Sequence, residues 1–197
     1  ADAVYAIDPL NHSYAKWLDV GGRDLASEGE QVFVCGANGL TRLQPASSEL
    51  VWRGDCRSVA LGSSVWVQSG DSLVRLGWTA FQQQETLKLE VGEKWALVRD
   101  RLVRWRTEPP QVKARSELGE LQSNLLQGPR SLVAYSDEPR WLLEDGRTVV
   151  GAALQSRTLE QEVDALVGLP DYPEWIFGVH IDNRALRLID KSGKGDV

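Results

Sequence analysis

Short apolar runs separated by turn-forming residues recur along the whole chain. Each of five units has a β-branched or aromatic first arm, a short polar turn and an apolar second arm; the units span residues 32–43, 65–76, 95–105, 141–150 and 175–188. Most of the turns contain Asn-Gly, Gly-Asp, Asp-Gly or Asp-Asn, which tolerate the positive φ that tight hairpins require. The pattern therefore predicts five antiparallel β-hairpins.

The hairpins recur at a spacing typical of a repeat. We take one residue in the second arm of each hairpin as equivalent to the corresponding residue in the others: Leu40, Leu73, Leu102, Thr148 and Ala185. Successive members of this series are 33, 29, 46 and 38 positions apart. A further short strand precedes each hairpin, and a fourth follows most of them. Because one hairpin cannot bury a face by itself, stacked copies must share a core. Four short antiparallel strands per repeat predict the blades of a β-propeller, and so an all-β fold.

Residues 157–168 are the one stretch that also fits a helix, because Leu159, Val163 and Leu166 have amphipathic spacing. We interpret this stretch instead as the outer strand of one blade leading into the inner strand of the next. The rest of the chain has no competing helical pattern.

The N-terminal residues carry a motif typical of one repeat family. Residues 4–8 form an apolar strand that ends in Ile-Asp, and after a polar turn a second strand ends at Trp17, ahead of Asp-Val-Gly-Gly. Residues 42–52 repeat this motif, and residues 188–191 begin another copy. The motif resembles the PQQ-like (quinoprotein-type) β-propeller repeat, most closely over residues 4–52.

The resemblance implies a binding role and no quinone. Catalytic quinoprotein dehydrogenases have more blades and an adjacent Cys–Cys pair, whereas Cys35 and Cys56 are not adjacent. The chain is more similar to the non-catalytic bacterial members, periplasmic propellers that act as scaffolds in outer-membrane protein assembly. We therefore expect a non-enzymatic, exported protein, periplasmic or extracellular, without a cofactor, that binds a protein partner in the cell envelope.

The two ends of the chain suggest how the repeat closes. The first strand, residues 4–8, and the last, residues 185–190, both fit the third strand of a blade. We expect one propeller domain over residues 1–197, with about five blades, in which the N-terminal strands complete the last blade. The alternative is a fragment of a larger propeller.

Charge and hydropathy exclude two classes of protein. The 197 residues carry a net charge of -6, which argues against a nucleic-acid-binding protein that works by bulk charge. No apolar run approaches the roughly 20 residues that a membrane-spanning helix needs. We therefore expect neither a nucleic-acid partner nor a membrane span.

Four arginines occupy the same position in four of the hairpins: Arg42, Arg75, Arg104 and Arg187. Repeated around a ring, they would form a positive annulus for an acidic partner. The structural alternative, which we favour, is that each arginine pairs with a carboxylate or stacks on a neighbouring tryptophan.

Trp78 breaks the period of the other tryptophans and lies near Phe81 and three glutamines, residues 82–84. An aromatic side chain beside amides suits contact with a sugar or peptide, although packing is the commoner role. This pair supports the second functional hypothesis, a carbohydrate-binding or adhesive propeller. A third is a hydrolase with carboxylates at the centre of the ring.

Three remaining features have two interpretations each. Cys35 and Cys56 form a disulfide in an oxidising compartment, or else remain two buried thiols. His12 and His180 lack the spacing of metal ligands, so no metal is predicted. The tripeptide at residues 53–55, Arg-Gly-Asp, is a cell-attachment signal in animal adhesion proteins, but we favour an ordinary turn.

Overall fold

The computed structural model describes residues 4–8, 10, 13–18, 21–44, 47–116, 119–133, 139–151, 155–169, 172–181 and 185–189. The chain divides into two compact units, Ala1–Glu90 and Val91–Val197, which are described one at a time. Among the described residues, β-strand is the only regular secondary structure.

The described residues of the first unit form three antiparallel sheets. The strands β1 (Val4–Asp8) and β2 (Ser13–Leu18) pair with each other. The next sheet consists of β3 (Asp24–Glu28), β4 (Gln31–Gly36), β5 (Gly39–Gln44) and β6 (Ser47–Arg53). The third consists of β7 (Ser58–Leu61), β8 (Val65–Ser69), β9 (Ser72–Leu76) and β10 (Gln83–Lys88).

In the second unit, the part of the chain that the structure describes also forms three antiparallel sheets. The first consists of β11 (Lys94–Val98), β12 (Arg101–Arg106), β13 (Gln111–Ser116) and β14 (Gly119–Asn124). The next consists of β15 (Pro129–Val133), β16 (Arg140–Leu143), β17 (Thr148–Val150) and β18 (Ser156–Thr158). The last consists of β19 (Ala165–Leu169), β20 (Tyr172–His180) and β21 (Ala185–Ile189).

Every described sheet is a meander, because strands that are consecutive in the chain are also neighbours in the sheet. Tight turns make this possible, and the turn between β4 and β5 shows the constraint. Gly39 has a φ of 140°, and a Cβ there would lie 1.9 Å from the carbonyl oxygen of Trp52. Only glycine allows β5 to approach β6 this closely.

Apolar clusters lie between consecutive sheets within each unit. In the first unit, Phe33 and Cys35 of β4 pack with Val65 and Val67 of β8. In the second unit, one cluster joins the β11–β14 sheet to the β15–β18 sheet around Trp141. Another cluster joins the β15–β18 sheet to the β19–β21 sheet. Each sheet that is flanked in this way therefore has apolar residues on the face that meets its neighbour.

The first strands of consecutive sheets lie side by side. In the first unit, the N–H of Val59 in β7 donates to Oδ2 of Asp24 in β3 at 2.9 Å. In the second unit, Nη2 of Arg130 in β15 lies 3.3 Å from Oδ1 of Asp164, the residue before β19. Side-by-side first strands and face-to-face sheets are the arrangement of consecutive propeller blades.

The prediction of an all-β fold with four-stranded antiparallel sheets is confirmed. Among the described residues, four sheets have four strands, one has three and one has two. The stretch at residues 157–168 contains the end of β18 and the start of β19, as predicted, and no helix. A count of five blades and closure by the N-terminal strands stay predictions.

One predicted equivalence is wrong. The hairpin at residues 95–105 is formed by the first and second strands of its sheet, β11 and β12, and not by the second and third. The true third strands begin 33, 39, 37 and 37 residues apart, at Gly39, Ser72, Gln111, Thr148 and Ala185. The two kinds of hairpin have the same apolar alternation, so local sequence cannot distinguish them. Arg104 is consequently not equivalent to Arg42 and Arg75.

Candidate functional site

The β3–β6 sheet has one face packed against β7–β10. We call its opposite face the open face because Leu25 and Leu50 on its edge strands are exposed, whereas Val34 and Leu43 at its centre are buried. Strand register aligns Leu25, Val34, Thr41 and Leu50 in one row across all four strands of the open face. Val34 is buried at 2% exposure, whereas Leu25 and Leu50 at the two ends of the row are 52% and 39% exposed. The open face therefore presents aliphatic surface on its first and last strands.

A groove of about 690 Å³ lies over one end of this row. Its floor is formed by Val34, Thr41, Ser48 and Leu50 of the sheet. Its walls are formed by the segment that enters β3 and by the turn between β4 and β5: Gly21, Gly22, Arg23, Gly36, Ala37, Asn38 and Gly39. Five of the seven wall residues are glycine or alanine, so backbone forms much of the groove wall.

The segment after β6 is fastened to the β4–β5 turn beside the groove. The N–H of Gly54 donates to the carbonyl oxygen of Asn38 at 3.4 Å, and the N–H of Cys56 donates to that of Gly36 at 3.0 Å. Cys56 also forms a disulfide with Cys35 of β4, and both residues are fully buried. The wall of the groove is therefore held by covalent and backbone contacts.

Asp55 lies in this fastened segment and forms ion pairs with Arg23 and Arg57. The hydrogen bond from Arg23 is the main reason why the pKa of Asp55 lies below its usual value, with Arg57 adding to the effect. The carboxylate of the Arg-Gly-Asp tripeptide is thus engaged within the chain. Gly54 is covered by the ring of Trp52, which a Cβ at that position would contact at 2.3 Å. These contacts are those of a structural turn.

Two of the predicted arginines occupy equivalent positions and have local partners. Arg42 pairs with Glu49 on the next strand, and its guanidinium lies 5.6 Å from the centre of the Phe81 ring. The Nε of Arg75 donates to Oγ of Ser64 at 2.9 Å, and its guanidinium lies 5.9 Å from the ring of Trp66. Pairing and stacking of this kind are what the structural interpretation expects.

The other two predicted arginines differ from these. Arg104 lies in a buried charge cluster: its Nη1 is 3.3 Å from Glu93, and its Nη2 pairs with Glu120. The same Glu93 accepts from Nζ of Lys113 at 3.0 Å. Arg187 has its backbone opposite Gly178 in β20, while its side chain lies outside the described residues. Because Arg104 lies on a second strand and is buried, it does not share the position of Arg42 and Arg75 that the annulus requires.

Trp78 and Phe81 are partly buried beside Phe33. The centre of the Phe33 ring lies 5.7 Å from that of the Trp78 ring, in an edge contact, and 5.8 Å from that of the Phe81 ring, in a tilted contact. The indole N–H of Trp78 donates to the carbonyl oxygen of Gly62 at 2.8 Å. The structure thus joins both rings to the apolar cluster of the first unit, and a role in binding sugars stays a prediction.

Metal-ligating side chains do not gather in the described part of the chain, where no group of three or more His, Cys, Asp or Glu residues could hold an ion. His180 is described and partly buried, whereas His12 lies outside the described residues. A membrane-spanning helix is also absent from this part of the chain.

Sequence analysis missed the open face and its groove. Leu25 and Leu50 were visible as apolar residues in strands, but the row to which they belong depends on the register of four strands. The glycines at positions 21, 22, 36 and 39 were visible too, and a cluster of glycines around one hairpin is the signal that could have pointed to a groove.

Comparisons with known proteins show the fold and no family. No protein-family model matches the chain, and no curated protein matches it in sequence. Among solved structures, Kluyveromyces lactis Hsv2 is similar with a TM-score of 0.65 and 11% identity, covering 96% of this chain and 68% of that one. A chain of the mitotic checkpoint complex has a TM-score of 0.66 and 14% identity, covering 100% and 74%.

A chain of the nidogen/laminin complex is also similar, with a TM-score of 0.53 and 14% identity, covering 93% of this chain and 82% of that one. These structures are β-propellers, so the chain has a propeller-like fold. Identities this low carry no information on function.

Proposed function

We propose that the chain is a non-catalytic scaffold module that binds a protein partner through the open face of the β3–β6 sheet. The observation that carries the proposal is the row from Leu25 to Leu50, which leaves aliphatic side chains exposed beside a groove. Exposed aliphatic surface next to a concave site is typical of protein-binding surfaces.

The propeller-like fold supports this proposal. Two of the similar chains belong to assemblies, the nidogen/laminin complex and the mitotic checkpoint complex. Propellers present loops and sheet faces on a rigid frame, which suits a scaffold. In the described residues, the ion pairs of Arg42 and Arg104 stabilise the sheets, which leaves the open face as the better surface for a partner.

The finer parts of the proposal come from the sequence. Membership of the PQQ-like repeat family, five blades closed by the N-terminal strands, and export to the periplasm or the cell surface rest on the motif at residues 4–52. The buried disulfide between Cys35 and Cys56 supports export, because disulfides persist in oxidising compartments.

Photocrosslinking in the producing cells tests the proposal. Benzoylphenylalanine replaces Leu50, and in a second variant it replaces Leu25. The control carries it at Leu121, which is 49% exposed and, like Leu50, lies on the fourth strand of a four-stranded sheet. We expect a discrete protein adduct from both open-face variants and none from the control.

The outcome distinguishes a specific binding surface from nonspecific binding to exposed apolar residues. Equal adducts from Leu50 and Leu121 variants, or no adduct from either open-face variant, would overturn the proposal. Mass spectrometry of the adduct identifies the partner. Thermal unfolding of each purified variant confirms that the substitution leaves the fold intact.

A further inference from the structure

The open face also carries positive charge. Arg53 is opposite Gly39 in the register, and the irregularity between Leu40 and Thr41 places it on the same face as Leu50. Arg23 precedes Leu25 by two residues and lines the groove. Alternate residues of a strand share a face, so Arg23 lies beside the Leu25 end of the row and Arg53 lies beside the Leu50 end.

The carboxylates of the same sheet lie on its other face. Asp24 is opposite Cys35 in the register, Glu28 is opposite Gln31, and Glu49 is opposite Arg42. Arg53 of β6 and Arg23, the residue before β3, therefore lie on the open face, whereas no carboxylate of the strands β3–β6 does. This distribution is unusual for a chain whose net charge is -6. Asp55, beyond the end of β6, offsets part of the charge of Arg23.

The arginines are also accessible. Arg23 and Arg53 are both exposed, and neither is covered by an aromatic ring among the described contacts. Guanidinium groups bind carboxylates through paired hydrogen bonds, which adds orientation to charge attraction.

We propose that the open face binds an extended acidic segment of a protein partner. An aliphatic side chain of that segment contacts Leu50 at the exposed end of the row, and an Asp or Glu carboxylate pairs with Arg53. Two to three residues of extended chain, about 7–10 Å, separate the row from Arg53, so the aliphatic and acidic residues are two or three positions apart. The inference rests on the proposed function and names the chemistry of the partner.

Peptide selection tests this chemistry without a known partner. Random nine-residue peptides displayed on phage are selected on the intact chain, and the most enriched peptide is synthesised with a fluorescent label. We expect enriched sequences to combine Asp or Glu with Leu, Ile or Val two or three positions away. Raising the NaCl concentration to about 0.5 M should weaken binding of the labelled peptide roughly tenfold, because exposed charges are screened.

Charge reversal then locates the site. Arg53→Glu should raise the Kd of the labelled peptide about tenfold or more, because one attraction becomes a repulsion. Arg53 is preferred to Arg23, which also holds Asp55. The matched control is Arg101→Glu, since Arg101 is an exposed strand arginine in the second unit and the change in net charge is the same. The control should alter the Kd less than about twofold.

Several results would overturn the inference. They are no enrichment, enrichment of basic or purely apolar peptides, and equal losses in the Arg53 and Arg101 variants. If Arg53→Glu reduces the melting temperature, Arg53→Gln replaces it, and a loss of binding is still expected. A crosslinked adduct at Leu50 together with failure of the peptide tests would leave the scaffold function standing and remove only the acidic partner.

Discussion

Single carboxylates hold the turns and connections of this chain. Asp145, in the turn between β16 and β17, accepts hydrogen bonds from the N–H groups of Arg147 and Thr148 at 2.9 and 2.8 Å. It also accepts from the Thr148 hydroxyl at 2.6 Å. Burial alone would raise the pKa of Asp145, but these hydrogen bonds outweigh it and lower the pKa. Such turns are the common use of Asp in β-rich proteins.

Removing the acceptor at Asp145 should destabilise the second unit. Asp145→Ala leaves two N–H groups and a hydroxyl without this partner, and we expect a loss of about 1 kcal/mol in the free energy of unfolding. Asp145→Asn keeps one oxygen acceptor and should lose less. Urea unfolding followed by tryptophan fluorescence measures both. An Ala variant as stable as the wild type would show that water replaces these bonds at no cost.

The pKa of Asp55 predicts a pH dependence. Because the folded-state pKa of Asp55 lies below the usual value of an aspartate, the stabilisation is fully present above that usual value and is lost as pH falls through the folded pKa. Asp55→Asn should therefore have a lower melting temperature than the wild type at pH 6, and the difference should shrink towards pH 3. Melting curves at pH 3, 4, 5 and 6 test this. A difference that is constant across the series would contradict it.

At the scale of elements, the fastened segment after β6 joins two sheets of the first unit. The disulfide links β4 to the connection that leads into β7, across a sequence separation of 21 residues and a Cα–Cα distance of 5.0 Å. The connection begins with Gly54 under the ring of Trp52, and Cys56 returns to Gly36 by a backbone hydrogen bond. The geometry of the groove therefore depends on this connection.

Loss of the disulfide should destabilise the first unit. A loop of this length predicts a cost of about 3 kcal/mol for replacing both cysteines by serine or alanine, mainly through the entropy of the unfolded chain. Because both cysteines are fully buried, reductant should act on the native protein only slowly. Urea unfolding with and without reductant, together with thiol titration, measures both effects. Rapid reduction of the native protein would contradict the burial.

The charge cluster in the β11–β14 sheet shows that charged side chains can lie in the interior when each pairs with a side chain of opposite charge. The side chains of Glu93, Lys113 and Arg104 are 1%, 6% and 10% exposed, and Glu120 supplies the second carboxylate. Among the described contacts, two anions meet two cations. Ions in such a place need partners, because removing one of them leaves an uncompensated buried charge.

Breaking this cluster should be costly and non-additive. Glu93→Gln should lower the free energy of unfolding by about 3 kcal/mol, and Lys113→Met by a similar amount. The double variant should lose less than the two single losses together. The control is Lys88→Met, which breaks an exposed pair with Asp71 and should cost only a few tenths of a kcal/mol, or about 0.5 at most. Strict additivity would show that Glu93 and Lys113 are not coupled.

At the scale of the whole molecule, charge is unevenly distributed. The chain has a net charge of -6, while the open face of β3–β6 carries two arginines and no carboxylate from its strands. An acidic molecule repels copies of itself at neutral pH, and a local basic surface still attracts an acidic segment. Self-association and partner binding therefore respond to pH in different ways.

The acidic balance predicts a minimum of solubility. The pI is close to 5.0, so repulsion between copies should vanish near that pH. Light scattering should give a repulsive interaction at pH 7.5 and an attractive one near pH 5. Arg53→Glu and Arg101→Glu should both shift the minimum slightly downwards. A protein that stays equally repulsive at pH 5 would contradict this view of its surface charge.

Prediction from sequence succeeded where the signal is local. The alternation of apolar residues and the turn residues at Asn38-Gly39 and Asp145-Gly146 were sufficient to predict hairpins, since both depend on neighbouring residues only. It failed at β11 and β12, where a first hairpin and a central hairpin have the same pattern. Arg104 was misplaced for the same reason, and its burial with Glu93 and Lys113 depends on strands that are distant in the sequence.

That this protein is all-β, that its strands form short antiparallel meanders and that its net charge is negative all follow from the amino-acid sequence alone. These properties depend on composition and on the order of apolar, polar and turn-forming residues along the chain. The row of Leu25, Val34, Thr41 and Leu50, the arginines Arg23 and Arg53 beside it, and the disulfide between Cys35 and Cys56 depend on the folded chain. Register and the packing of one sheet on another bring these residues together, and a shift of one residue in register would send each to the opposite face.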